Sequence, residues 1–177
     1  WNGCFTLPRI LSLFDNNTLT IKPLPELKKL RGKHYKFTGF KQTPSSSNIL
    51  TNIEGDCLEI RLEIEKRNTN AFGLIVRCDA DGKYGTSIIF NVASMTVTVG
   101  DKISDVKILK DEKIILLHIF LDKSVMEIFI NNRISITNRI FPKNENDMGL
   151  NYFSQLGSSE VISLDIWEMD SIWKELV

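Results

Sequence analysis

The chain reads as all-β: a two-sheet antiparallel β-sandwich preceded by a short N-terminal strand and linker segment. Three observations lead there. Short apolar runs rich in β-branched residues recur along the chain, about ten to twelve of them, at the spacing expected of a sandwich. Turn chemistry separates them at Asp79-Ala80-Asp81-Gly82, Gly100-Asp101 and Asn131-Asn132. Helical periodicity is almost absent, confined to one turn over Glu26 to Arg31.

Taken in order, Trp1 to Ile21 reads as two short strands around a turn at Asp15-Asn16-Asn17. Pro23 and Pro25 stop the second strand, the helical turn follows, and Gly32 is expected to end it. His34 to Phe40 is a strand, and Lys41 to Asn52, with Pro44 and three serines, reads as a mobile surface loop. Asp56 to Lys66 alternates cleanly: Leu58, Ile60, Leu62 and Ile64 face in, while Glu59, Arg61, Glu63 and Glu65 face water. Further strands are expected at Ala71 to Arg77, Thr86 to Asn91, Ser94 to Val99, Asn151 to Gln155 and Val161 to Asp170, with Lys143 to Met148 a polar loop. Trp167 and Trp173 are expected to pin the C-terminus or a domain interface.

The centre of the pattern is Glu112 to Phe141, three strands joined by two tight turns. Ile115, Leu117, Ile119 and Leu121 share one face; Ile114, Leu116, His118 and Phe120 share the other. A strand apolar on both faces is expected to be covered on both. His118 then reads as a satisfied core histidine rather than a base, which needs a nucleophile in hydrogen-bond reach. Glu127 interrupts the next strand, between Val125 and Phe129 on one face. A carboxylate there must be paired, hydrogen-bonded or at a strand edge; an edge or interface partnership with Arg or Lys is the structural reading, a perturbed functional carboxyl the other.

Composition narrows the partners. The 177 residues suffice for one full core. Lys plus Arg and Asp plus Glu are each 22, so the net charge is zero, which argues against nucleic acid or an anionic membrane as partner. No apolar run approaches the roughly 18 residues of a membrane span. The chain opens on Trp1 rather than Met and is expected to belong to a longer polypeptide, so localisation stays unknown. Cys4, Cys57 and Cys78 are odd in number and lack metal spacing. Asn16-Asn17-Thr18 is a glycosylation sequon, relevant only in a eukaryotic secretory protein. The Asp79–Gly82 stretch lacks the later ligands of a calcium loop and reads as a hairpin turn. No cofactor or metal site is expected.

The string Leu117 to Asn131 resembles the signature of the C-terminal β-sandwich module of glycoside hydrolase family 32, the invertases, inulinases, levanases and related β-fructosidases. The family pattern Asp-Arg-Ser-x-x-Glu-x-Phe, closed by Arg-x-Phe/Tyr-Pro, is matched by Asp122, Ser124, Glu127, Phe129, Arg139, Phe141 and Pro142, with Lys123 in place of the commoner Arg. Leu7-Pro8-Arg9 with Leu11-Ser12-Leu13, then Lys22-Pro23-Leu24-Pro25-Glu26-Leu27, match the end of the family's catalytic propeller and its linker. The resemblance implies residues 1–31 as the end of a propeller-type segment plus linker, and 32–177 as a sandwich of concanavalin A-like, jelly-roll type. Without the propeller, the apolar side chains of Trp1, Phe5, Leu7 and Leu11 must fold back on the sandwich or be covered by another copy.

In the family, catalysis rests on Asn-Asp-Pro-Asn-Gly, Arg-Asp-Pro and Glu-Cys motifs of the propeller. None occurs here; Asn146-Asp147-Met148-Gly149 echoes the first superficially and reads as a turn. No catalytic residue is therefore carried over. Three readings remain. The first is a non-catalytic sandwich supporting a catalytic propeller and oligomerisation, with a homodimer among its partners. The second is a module binding fructan or sucrose through Tyr35, Tyr84, Tyr152, Trp167 or Trp173, since sugars stack on exposed rings. The third is a stand-alone glycosidase using Glu59 and Glu63, whose i, i+2 spacing on a strand is near the roughly 5–5.5 Å of a retaining pair. Against it stand the solvated-face reading of that strand, with Arg61 pairing its neighbours, and the lack of aromatic residues on it.

Overall fold

The computed structural model describes residues 3–14, 17–66, 69–106 and 112–172. Its strands are β1 (Arg9–Leu13), β2 (Leu19–Pro23), β3 (Arg31–Gln42), β4 (Cys57–Glu65), β5 (Ala71–Cys78), β6 (Thr86–Asn91), β7 (Thr96–Val99), β8 (Lys102–Asp105), β9 (Ile114–Asp122), β10 (Val125–Ile130), β11 (Ile134–Arg139), β12 (Gly149–Gln155) and β13 (Ser159–Met169). One 3-10 helix, Pro25–Leu30, lies between β2 and β3. The β1–β2 hairpin stands apart; a six-stranded sheet runs β11-β10-β9-β4-β13-β3, and a five-stranded sheet runs β12-β5-β6-β7-β8. All the strand pairings are antiparallel.

The two larger sheets bury one core between them, as the period-two pattern requires. From the six-stranded sheet come Leu58, Ile60, Leu62 and Ile64, then Ile115, Leu117, Ile119 and Leu121, then Met126, Ile128 and Ile130. The five-stranded sheet answers with Phe72, Leu74, Val76, Ile88 and Phe90. Phe72 and Phe90 stack at 5.4 Å. On β13 the pairing with β4 shifts between Val161 and Ser163. That irregularity changes the alternation, so Val161, Leu164 and Ile166 all reach the core.

Turn chemistry acts where expected. Asn131 and Asn132 take φ of 47° and 55°, the left-handed pair that a primed hairpin turn needs. Gly82 sits at φ 70° in the β5–β6 turn. There Asp79 Oδ1 accepts the backbone N–H of Lys83 at 2.7 Å and of Tyr84 at 3.2 Å, which closes the hairpin turn. The backbone hydrogen bond from Lys83, opposed by burial and helped by that from Tyr84, holds the Asp79 carboxyl below its ordinary range.

Two expectations are corrected, and one strand is added. Gly32 does not end the helical turn: Arg31 is already extended at φ −70° and ψ 120°, and Gly32 lies inside β3. The stretch Lys41 to Asn52 is not simply surface loop, since β3 runs to Gln42 and Leu50 is fully buried in the core. The edge strand β8 was not foreseen, because Lys102-Ile103-Ser104-Asp105 offers no buried apolar face and is held by its ladder to β7. Trp1, Trp173 and Asn16 of the sequon lie outside the described residues. No helix among the described residues is long and apolar enough to cross a membrane.

Arg77 ties the loops at one end. Its φ is 53°, and its buried guanidinium donates to the carbonyls of Asp147 at 2.7 Å, Glu145 at 3.0 Å and Lys123 at 3.2 Å. One side of the five-stranded sheet depends on a missing side chain. A Cβ on Gly73 would lie 2.7 Å from Phe153 Cζ and would collide with the carbonyl oxygen of Ile88 in the neighbouring strand. Gly73→Ala is expected to destabilise the fold by about 1–3 kcal/mol, read as a lower urea midpoint at unchanged slope.

Candidate functional site

The informative surface is the outward face of the six-stranded sheet, crossed by the N-terminal segment. Alternation along β10 sends Met126, Ile128 and Ile130 into the core and Val125, Glu127 and Phe129 outward. Glu127 is only 2% exposed, yet β10 is flanked by β9 and β11 and is no edge. Its partners come from far away in sequence. The backbone N–H of Leu7 donates to Oε1 at 2.5 Å, and Arg9 Nη2 forms an ion pair with Oε2. The same Arg9 nitrogen donates to Thr137 Oγ1 of β11 at 2.7 Å, and the guanidinium lies 5.4 Å from the centre of the Phe129 ring.

A second buried carboxylate repeats this arrangement. Glu59 on β4, expected to face water, is 1% exposed. Arg31, where the linker becomes β3, grips it with Nε at 2.7 Å and Nη2 at 2.6 Å. His118 Nε2 closes on Oε1 at 2.6 Å. Burial by itself pushes this carboxyl up, but the hydrogen bonds from Arg31 and His118 and their charges outweigh it and hold the pKa at about 2. His118 is thus a satisfied histidine, packed beside Phe120 with ring centres 4.7 Å apart. The outward face of β9 is covered at Phe120 and His118, while Ile114 stays 44% exposed.

Trp167 on β13 packs against the end of the linker. The Arg31 guanidinium lies 3.6 Å from its ring centre, and the His34 ring stacks on it at 4.5 Å. His34 in turn bonds Asp165 at 2.8 Å. Between linker and sheet runs a groove of about 530 Å³, with Lys22 and Lys28 on the linker side and Lys36, Arg61, His118 and Trp167 on the sheet side.

The other residues singled out above scatter. Asp122 and Ser124 bound the β9–β10 turn, Phe129 is fully buried, and Arg139 lies 5.2 Å over the Phe141 ring beside half-buried Pro142. Of the sugar-stacking candidates, Tyr152 is fully buried with its hydroxyl 2.6 Å from Ser159 Oγ and has no face to offer. The Tyr35 hydroxyl donates to Glu168 at 2.7 Å, and Lys33 Nζ sits 4.7 Å above its ring. Tyr84 is 65% exposed in the β5–β6 turn. As for a glycosidase pair, both Glu59 oxygens are engaged, and Glu63 pairs Arg61 at 2.6 Å. Among the described residues no cluster of His, Cys, Asp and Glu could hold a metal ion. Arg31, missed in sequence, carried no signal beyond its place at the end of the linker.

A family model described as "Glycosyl hydrolases family 32 C terminal" matches residues 26–168, from within the 3-10 helix to the last residue but one of β13. The chain belongs to glycoside hydrolase family 32. Among its curated relatives, the sucrose-6-phosphate hydrolase of Zymomonas mobilis is 30% identical over 162 residues, 84% of this chain and 31% of the relative. The levanase of Bacillus subtilis is 26% identical, over 98% of this chain and 28% of the relative. This family 32 chain therefore spans about a third of the length of the curated relatives it matches. Fructan 1-exohydrolase IIa from Cichorium intybus superposes with a TM-score of 0.80 at 18% identity, over 94% of this chain and 41% of that one. Exo-inulinase from Aspergillus awamori gives 0.76 at 18% identity, over 95% and 36%. These two establish the fold: the family 32 β-sandwich.

Two expectations follow from the clamps. Arg9→Ala leaves Glu127 buried and unpaired, and is expected to cost about 3–5 kcal/mol in urea unfolding, the range for breaking a buried pair from one side. For Glu59 the folded pKa, about 2, lies below its ordinary 4.5. Its contribution is therefore present above that ordinary value and lost as pH falls toward the folded one. Urea midpoints measured from pH 6 down to pH ~2 are expected to fall less steeply for Glu59→Gln than for the parent chain.

Proposed function

We propose that this chain is the supporting, non-catalytic sandwich of a β-fructosidase-type hydrolase acting on sucrose or fructans. Residues 1–31 would be the end of a propeller-type segment with its linker, and 32–177 the sandwich domain. One observation carries the reading: the N-terminal hairpin is held to the sandwich by Glu127 yet presents an uncovered apolar surface. Phe5 is fully exposed, and Leu11, Leu13 and Phe14 are each more than 60% exposed. They have not folded back on the sandwich. An apolar surface of this kind marks a docking site, and a catalytic propeller in the same polypeptide is the partner that the named relatives, about three times this length, support.

Sucrose and fructans enter as substrates of the parent through the relatives' names, a sucrose-6-phosphate hydrolase and a levanase. The sandwich would supply rigidity through its two buried ion pairs and hold the hairpin at a set angle. A second copy of the chain is the alternative cover for the hairpin. A fructan-binding role is supported by the exposed Tyr84 ring.

Purified chain incubated with sucrose, inulin and levan is expected to release no fructose; clear turnover would overturn the supporting role. The double variant Leu11→Glu, Leu13→Glu is expected to keep its stability within about 0.5 kcal/mol and its sedimentation coefficient. A shift from dimer to monomer would instead assign the hairpin to a second copy.

A further inference from the structure

The groove between linker and sheet has a use that a supporting role does not require. It has a volume of about 530 Å³, within the ~300–1,000 Å³ of small-molecule sites. Its lining carries five cationic side chains, Lys22, Lys28, Arg31, Lys36 and Arg61, against two carboxylates, Glu59 and Asp165. Glu59 is paired with Arg31 and His118, while Asp165 is hydrogen-bonded to His34 and stands across the ladder from Lys36, so the three lysines outnumber the one carboxylate without a cationic ion-pair partner. Arg61 is neutralised by Glu63. Lys22, Lys28 and Lys36 have no carboxylate within 4.0 Å among the described residues. Lys22 reaches the groove from β2, Lys28 from the 3-10 helix and Lys36 from β3, so unbalanced positive charge faces one groove from both walls.

The chain as a whole has zero net charge, so the excess of lysines over free carboxylates in the groove is a local feature and not the general character of the surface. A compact anion fits such a site better than a long polyanion, which needs an extended basic surface. A neutral sugar fits less well, because it binds by stacking and the Trp167 ring is already taken up by Arg31 and His34. We propose that this groove binds the phosphomonoester of a small sugar, the phosphate held by Lys22, Lys28 and Lys36 and the sugar hydroxyls by polar groups of the rim such as Asn132. Ammonium groups are point-charge donors suited to phosphate oxygens without demanding one fixed geometry.

The test is calorimetric titration of the full chain at low salt with glucose 6-phosphate, inorganic phosphate, glucose and sucrose. Glucose 6-phosphate is expected to bind with one-to-one stoichiometry, at least tenfold tighter than glucose or sucrose and tighter than inorganic phosphate. Its affinity should weaken as salt is raised. Lys22→Glu with Lys36→Glu should lose at least tenfold at unchanged melting temperature, and Lys28→Glu alone should show a smaller loss. Equal affinity for glucose and its 6-phosphate, or no binding of the phosphate, overturns the proposal. Charge reversals without effect overturn the location, and inorganic phosphate binding as tightly as the sugar phosphate overturns the sugar part.

Discussion

Two glutamates, Glu127 and Glu59, sit on a sheet face where water would normally satisfy them, and both are almost fully buried. A lone carboxylate in that position would be several kcal/mol unstable. It is tolerated because the N-terminal segment brings Arg9 to one and Arg31 to the other. The dependence runs in both directions. Without the hairpin and linker the glutamates would be hydrated and the outward face bare; without the glutamates the segment would have little reason to lie where it does. The path of residues 3–31 over the sandwich follows from these two charges, with Ile21 N–H to Asn132 O at 2.7 Å as a backbone stitch between them.

The same constraint accounts for the chemistry of the face. A carboxyl gripped by a guanidinium and an imidazole stays ionised and hydrogen-bonded, which makes it a strong clamp and a poor acid. Arg31 also packs against Trp167, and Trp167 against His34, so one linker residue organises β3, β4 and β13. Placing linker and sheet at a set distance leaves a groove rather than a sealed interface. The groove keeps those lysines that the clamps do not consume.

The family relationship and the geometry support each other at different depths. The family 32 assignment rests on residues 26–168 and concerns the sandwich. The hairpin Arg9–Pro23 precedes that stretch, yet it is bound to the sandwich through the motif glutamate Glu127. That pairing gives the motif a physical meaning: its Glu receives the Arg of the Leu7-Pro8-Arg9 string, two motifs joined across 118 residues.

The sequence by itself determined the sandwich, most strand limits, the Asn131-Asn132 turn and the need for Glu127 to have a partner, because period-two burial and turn chemistry are local. Tertiary structure alone decided which arginine that partner is. It also decided that Glu59 is buried under the linker while Glu65, six residues along the same strand, is exposed. Alternation reports which side of a sheet a residue faces. It is silent on whether a distant segment covers that side, and Arg9 and Arg31 arrive from 118 and 28 residues away. The same limit hid the groove, whose charges come from the 3-10 helix and from β2, β3, β4 and β13 and converge only once the chain has folded.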